Sequence, residues 1–240
     1  MPTLTQLKKE LSSLANPSQA KLLSGFFKTG KGEYGEGDEF YGIKVPVTRE
    51  VAKKYATEIT LNEAEELLKS KIHEERLCAL LILIQKFENK NTTEGERKEI
   101  FDFYLANTAR INNWDLVDLS SHEIVGAYTY THPTERKTLM KLASSELLWD
   151  KRIAMVSTYH FIYRKKFEEP LKVARILLND NHDLIHKAVG WMLREIGKRD
   201  IKVEEEFLLK HYQKMPRTML RYAIEKFPEK IRKEYLEGKV

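Results

Sequence analysis

Apolar residues recur three and four positions apart along most of the chain, and no segment sustains the strict alternation of a half-buried strand. The spacing predicts helices over roughly 73–88, 93–108, 113–129, 133–144, 147–164, 168–178, 182–198, 203–213 and 216–236. Upstream, Pro17 is placed to open a helix reaching about Phe27, and Thr48 to cap one through Val51, Ala52 and Tyr55. Thr60 caps Leu61 to Leu68, and Glu63 completes a capping box. Short connections between these stretches are those of antiparallel helix pairs. One segment breaks the pattern. Lys28 to Asp38 holds four glycines and reads as a loop; it fits neither nucleotide-binding glycine pattern and no strand precedes it, which excludes a phosphate cradle.

The helices also repeat. A basic residue stands two positions before a small one in Arg76-Leu77-Cys78, Arg152-Ile153-Ala154, His186-Lys187-Ala188 and Arg221-Tyr222-Ala223. The last two intervals are 34 and 35 residues, and the first, of 76, fits two units with the Trp114 helix between them. Periods of this size mark helical solenoids, in which stacked helix pairs bury a shared core and line a concave surface. No composition shift resembles a linker, so residues 1–240 are expected to form a single domain.

Hydrophobic residues make up 42% of the chain and charged residues 32%, with only 11 Gly and 7 Pro, a balance that favours helix over turn-rich β architecture. The net charge of +5 admits an anionic partner or merely a Lys- and Glu-rich surface. The single cysteine, Cys78, cannot form an internal disulfide, and its apolar company makes it core filler; cysteine-rich zinc and iron–sulfur sites are excluded. The N-terminus lacks a signal-peptide pattern, and the longest apolar run, Leu77 to Ile84, is too short to span a membrane. The expectation is a soluble cytoplasmic protein.

Candidate chemistry concentrates in Asn112-Asn113-Trp114-Asp115-Leu116-Val117-Asp118. On a helix, Asp118 lies about 40° from Trp114, and both border the apolar stripe of Val117, Ile124 and Tyr128. Spacing alone leaves two readings open: a partly buried Trp with an Asp at the core edge, or an indole and a carboxylate framing a site. Trp191 stands about 130° from the core face of Ile185, Val189, Met192 and Ile196, on a stripe with Lys187, Arg194 and Lys198. That position suits stacking on a sugar or base, or quaternary packing. Arg152, among Leu148, Trp149, Met155 and Val156, should pair with a carboxylate or reach a phosphate. His182 and His186 have metal-ligand spacing without a third ligand, and capping explains them better. No His-x-Asp pair supports a 2-His-1-carboxylate iron site. Arg164-Lys165-Lys166 and Lys198-Arg199 are clusters that are usually solvated but can track a phosphate backbone.

Four segments together resemble the AlkD-like DNA alkylation repair family, the HEAT-like-repeat DNA glycosylases: Tyr41 to Pro46, Asn113 to Asp118, Leu148 to Ala154 and Ala188 to Arg194. The resemblance implies an all-α, HEAT-like helical-repeat solenoid with a concave DNA-binding surface. It also implies hydrolysis of the N-glycosidic bond of N3-alkyladenine and N7-alkylguanine in double-stranded DNA, without cofactor or metal and with no need of a partner beyond a monomer. Asp118 would then be the catalytic carboxylate, Trp114 and Trp191 the aromatic walls around the lesion's sugar, and Arg152 a DNA-backbone contact. Lys187, Arg194, Lys198, Lys165 and Lys166 would bind phosphates independently of sequence. The rival expectation is a non-catalytic helical-repeat scaffold for nucleic acid or protein. An iron-dependent demethylase is disfavoured by the missing ligand set.

Overall fold

The computed structural model describes residues 2–240 and is all-α, with one isolated β-bridge, Glu39 to Ile72, as the only extended pairing among them. It is a helical-repeat fold. Contacts divide the chain into two compact units, one through Ser120 and one from Ser121 onward.

The first unit runs α1 (Pro2–Ser13), α2 (Pro17–Phe26), α3 (Val45–Tyr55), α4 (Leu61–Leu68), α5 (His73–Glu88), α6 (Glu94–Ala106) and α7 (Trp114–Ser121), whose last residue opens the second unit. Helix α5 is central. Leu77 through Ile84 are buried on every side, with α3 and α4 packed against them, which is why its sequence is apolar around its whole circumference. Helix α2 starts at Pro17 as the spacing predicts, with Asn16 as its N-cap accepting from the Gln19 amide. Thr60 and Glu63 form the expected capping box on α4, and Thr93 and Glu96 form a second on α6. Thr48 is not a cap. Helix α3 starts three residues earlier, where Pro46 fixes φ within the first turn, and Thr48 lies buried inside the helix. The pattern also leaves α1 unassigned, although Leu4, Leu7 and Leu11 give it a buried stripe.

The second unit begins with a π-helical turn (His122–Gly126) and continues through α8 (Ala127–Thr131), α9 (Lys137–Ala143), α10 (Leu148–Ser157), α11 (Tyr159–Tyr163), α12 (Glu168–Leu177), α13 (Asp183–Gly197), α14 (Ile201–His211), α15 (Arg217–Ala223) and α16 (Glu229–Glu237). Several predicted helices are thus interrupted. The stretch 113–129 carries the π turn, and 216–236 splits into α15 and α16 because Pro228 has no amide to continue the ladder. Helices α13 and α15 pack most closely, and Gly190 permits it: a β-carbon there would fall 2.4 Å from the Met219 carbonyl oxygen. The small members of the repeated pattern, Cys78, Ala154, Ala188 and Ala223, are all fully buried, so the repeat is a packing device of helix against helix. No described helix is long and apolar enough to cross a membrane.

Candidate nucleic-acid interface and carboxylate site

The N-terminus of α7 is fixed by a buried polar network that joins three distant parts of the first unit. His73, at the start of α5, uses both ring nitrogens: Nε2 lies 2.7 Å from Asp115 Oδ2 and Nδ1 lies 3.2 Å from Asp38 Oδ2. Asp38 also accepts from Arg76 Nη2 at 2.5 Å and from Asn113 Nδ2 at 3.4 Å. Burial disfavours the His73 cation, but the Asp115 charge and hydrogen bond, with Asp38, outweigh it and push the imidazole up to about 9. Burial likewise penalises the Asp38 anion, yet hydrogen bonds from His73 and Arg76 hold it below the usual carboxylate range. The charged atoms therefore compensate one another inside the fold.

The segment Tyr41 to Ile43 docks beside this network. Glu74 accepts from the backbone amides of Tyr41, Gly42 and Ile43 at 2.9, 2.7 and 3.0 Å, and the Tyr41 hydroxyl donates to Glu75. Burial and the Glu75 carboxylate push that phenol up to about 12. Gly42 has φ +83°, and a β-carbon there would lie 2.3 Å from the Asn16 carbonyl oxygen, so both conformation and space require glycine. The motif residues Tyr41, Gly42 and Ile43 therefore act as an anchor for the loop.

Trp114 opens α7 against an aromatic stack. Phe27 lies nearly parallel to its indole with centroids 5.2 Å apart, and Phe26 meets it edge-on at 5.7 Å. Phe27 in turn stacks on Phe40, and both cover His73. The indole is held from one side and remains half-exposed. One helical turn on, Asp118 is half-exposed as well, while Leu116 and Val117 between them are fully buried. Burial raises the nearby Tyr104 phenol; its hydrogen bond with Ser120 pulls the other way and the Asp118 charge adds to the rise. On α7, Asp115 bonds His73, and Asp118 lies half-exposed one turn after Trp114.

In the second unit, Trp191 is half-exposed on α13, opposite Ile185, Val189, Met192 and Ile196, which are fully buried. Its ring lies 6.4 Å from Tyr159. The cations around it differ from the expected basic stripe. Lys187 pairs with Asp183 at 2.7 Å, Arg194 with Glu225, and Lys198 with Glu195 at 2.5 Å. Asp183 and Glu195 stand on α13 itself, within one turn of their lysines, whereas Glu225 comes from beyond α15, out of reach of any helical-wheel argument. Arg152, expected at a phosphate, is buried, and its Nη1 donates to the Leu184 carbonyl at 2.6 Å, tying α10 to the start of α13. Lys165 and Lys166 are exposed. His182 Nδ1 accepts from the Leu184 amide and His186 Nε2 donates to the Asp180 carbonyl, both in service of the α13 N-terminus.

Sequence reasoning passed over His73, Asp38, Arg76 and Asp115 as a group. The available signal was Arg76, already singled out in the repeat, standing one turn after a histidine at a helix start. It also passed over Tyr163, which belongs to an aromatic and guanidinium cluster on the second unit.

Comparisons with known proteins agree with this architecture. The family model described as DNA alkylation repair enzyme matches residues 7–227. A search of curated proteins finds no match. Among solved structures, the chain is similar to a predicted DNA alkylation repair enzyme from Enterococcus faecalis, with a TM-score of 0.71 and 19% identity over 90% of this chain and 97% of that one. At that identity the likeness carries the fold.

Proposed function

Because the chain belongs to the DNA alkylation repair enzyme family, we propose that it is a monofunctional DNA glycosylase acting on cationic alkylated purines, N3-alkyladenine and N7-alkylguanine, in duplex DNA. The observation that carries the reading is the division of labour on α7. Asp115 is locked to His73, while Asp118 stays half-exposed one turn from an indole immobilised by Phe26 and Phe27.

An alkylated purine already carries positive charge, so it departs without a general acid. As the bond from C1′ to the purine nitrogen breaks, its electron pair passes to the base, which leaves neutral, and positive charge develops on the sugar. Asp118 would stabilise that charge and accept a proton from the water that adds to C1′. Trp114 and Trp191 would offer indole faces to the cationic sugar and base. Lys165 and Lys166 would meet phosphates directly, and Lys187, Arg194 and Lys198 after exchange of their carboxylate partners. Arg152 would position α13 and its Trp191 through the Leu184 carbonyl.

The test is release of free base from duplex DNA bearing 7-methylguanine or 3-methyladenine. Asp118→Asn is expected to slow excision by about 100-fold or more with DNA affinity retained. Trp191→Ala should lower turnover without loss of helicity. Unchanged excision by Asp118→Asn would remove Asp118 from the mechanism. The charge compensation around Trp191 favours a second reading, a scaffold that binds nucleic acid or protein without chemistry; under it the wild-type chain releases no methylated purine.

A further inference from the structure

The C-terminal end of α11 presents an aromatic and guanidinium group that the excision chemistry does not use. Tyr163 is 66% exposed, an unusual position for a large aromatic ring. Two guanidinium groups flank it: those of Arg164 and Arg199 each lie 5.9 Å from its ring centre. The same two arginines extend the layering, Arg164 over Tyr130 at 5.2 Å and Arg199 over Tyr159 at 5.5 Å. Lys165 and Lys166 follow directly in sequence, both exposed.

Beside this layer is a cavity of about 250 Å³ lined by His122, Glu123, Tyr159, His160, Tyr163 and Arg164. Burial pushes both histidines down to about 4, with the Arg164 charge adding at His160, so both imidazoles are neutral at physiological pH and the positive charge of the cavity comes from Arg164. His122 Nδ1 is buried without a hydrogen-bond partner. His122 and Glu123 lie in the π-helical turn, where the ladder is locally widened. The cavity therefore combines aromatic walls, neutral imidazoles and a cationic rim.

We propose that this surface is a binding site for an unpaired nucleotide, with the base stacked on the Tyr163 ring and the adjoining phosphates held by Arg164, Lys165 and Lys166. A protruding phenol with two guanidinium groups close by matches the π-face of a base that has left its stack, whereas the paired bases inside an intact duplex have both faces covered. Cations alone would suit any phosphate chain; the exposed ring narrows the ligand to unpaired bases, in a gap or a single strand. This goes beyond lesion excision and makes no use of Asp118, Trp114 or Trp191.

The experiment measures binding of a short single-stranded oligodeoxynucleotide, and of a blunt duplex of the same length, by fluorescence anisotropy across a salt series. Tyr163→Ala is expected to weaken single-strand binding about tenfold and leave blunt-duplex binding unchanged. Tyr163→Phe, which keeps the ring, should bind as the wild type does. Arg164→Ala should lower the slope of log affinity against log salt by about 0.7 for the single strand. Wild-type affinity in Tyr163→Ala, equal losses on both ligands, or a Tyr163→Phe variant as weak as the alanine would each overturn the proposal. Base release from methylated blunt duplex, assayed on the same variants, separates the two readings. Excision retained with no Tyr163 dependence sinks only the nucleotide site; Tyr163-dependent binding without excision by the wild type sinks only the glycosylase.

Discussion

His73 carries two carboxylates on one imidazole, and this makes the first unit sensitive to pH. Its proton is held up to about 9 in the fold against 6.5 in the unfolded chain. The folded state therefore binds more protons between those values: the stabilisation is complete below about 6.5 and is lost as pH rises through 9. Glu204 on α14 acts with the same sign, since burial and the neighbouring Glu205 push its carboxyl up to about 9. His122 and His160, depressed to about 4, act in the opposite direction and withdraw their contribution as pH falls from 6.5. Denaturant titrations at a series of pH values should show a decline above neutrality that is shallower in His73→Gln. His73→Ala, which leaves Asp38 and Asp115 with a lost partner, should cost about 3–5 kcal/mol at neutral pH; a loss below 1 kcal/mol would mean the network contributes little.

At the scale of elements, the termination of α11 invites a specific substitution. Lys165 adopts φ +56°, the left-handed position that favours glycine, and the turn is closed by the Lys165 amide on the Ile162 carbonyl and the Lys166 amide on the Phe161 carbonyl. Lys165→Gly should therefore stabilise the protein by about 1 kcal/mol, read as a higher melting temperature, while weakening DNA binding. Equal stability would show that the lysine relieves the strain through contacts of its own. Which segments become helices was legible because spacing and caps are local: Thr60 with Glu63, Pro17 and the span of α5 all follow from neighbours within one turn. Where local signals compete, they mislead. Thr48 offered a cap, but Pro46 had already started the helix; the interruption before α16 needed Pro228 to outweigh an apolar period running across it.

For the whole molecule, the net charge of +5 overstates the cationic surface available to DNA. Around Trp191 each proposed phosphate ligand already has a carboxylate, and the exposed cations nearest in sequence to the aromatic layer are Lys165 and Lys166. Salt titration of duplex binding should therefore respond unequally. Lys165→Ala and Lys166→Ala should each flatten the slope of log affinity by about 0.9, and Lys187→Ala by much less. Equal slopes for all three would show that Asp183 does not offset the Lys187 charge in DNA binding. Trp114, Asp118 and Trp191 could be nominated from the sequence since one helical turn sets their exposure. The support beneath Trp114 could not, because Phe27, Asp38, His73 and Asp115 meet only through tertiary contact.

The glycine at position 190 has a consequence for how such chains are recognised. It lies in one of the most distinctive segments of the sequence, yet its role is to let two helices touch, as Gly42 lets a loop pass under a neighbouring backbone. A homologue could thus retain Gly42 and Gly190 and have lost its reactive group, so a match at those two positions detects scaffolding. Sorting working enzymes from silent ones would have to start from the two or three half-exposed side chains that the architecture can do without.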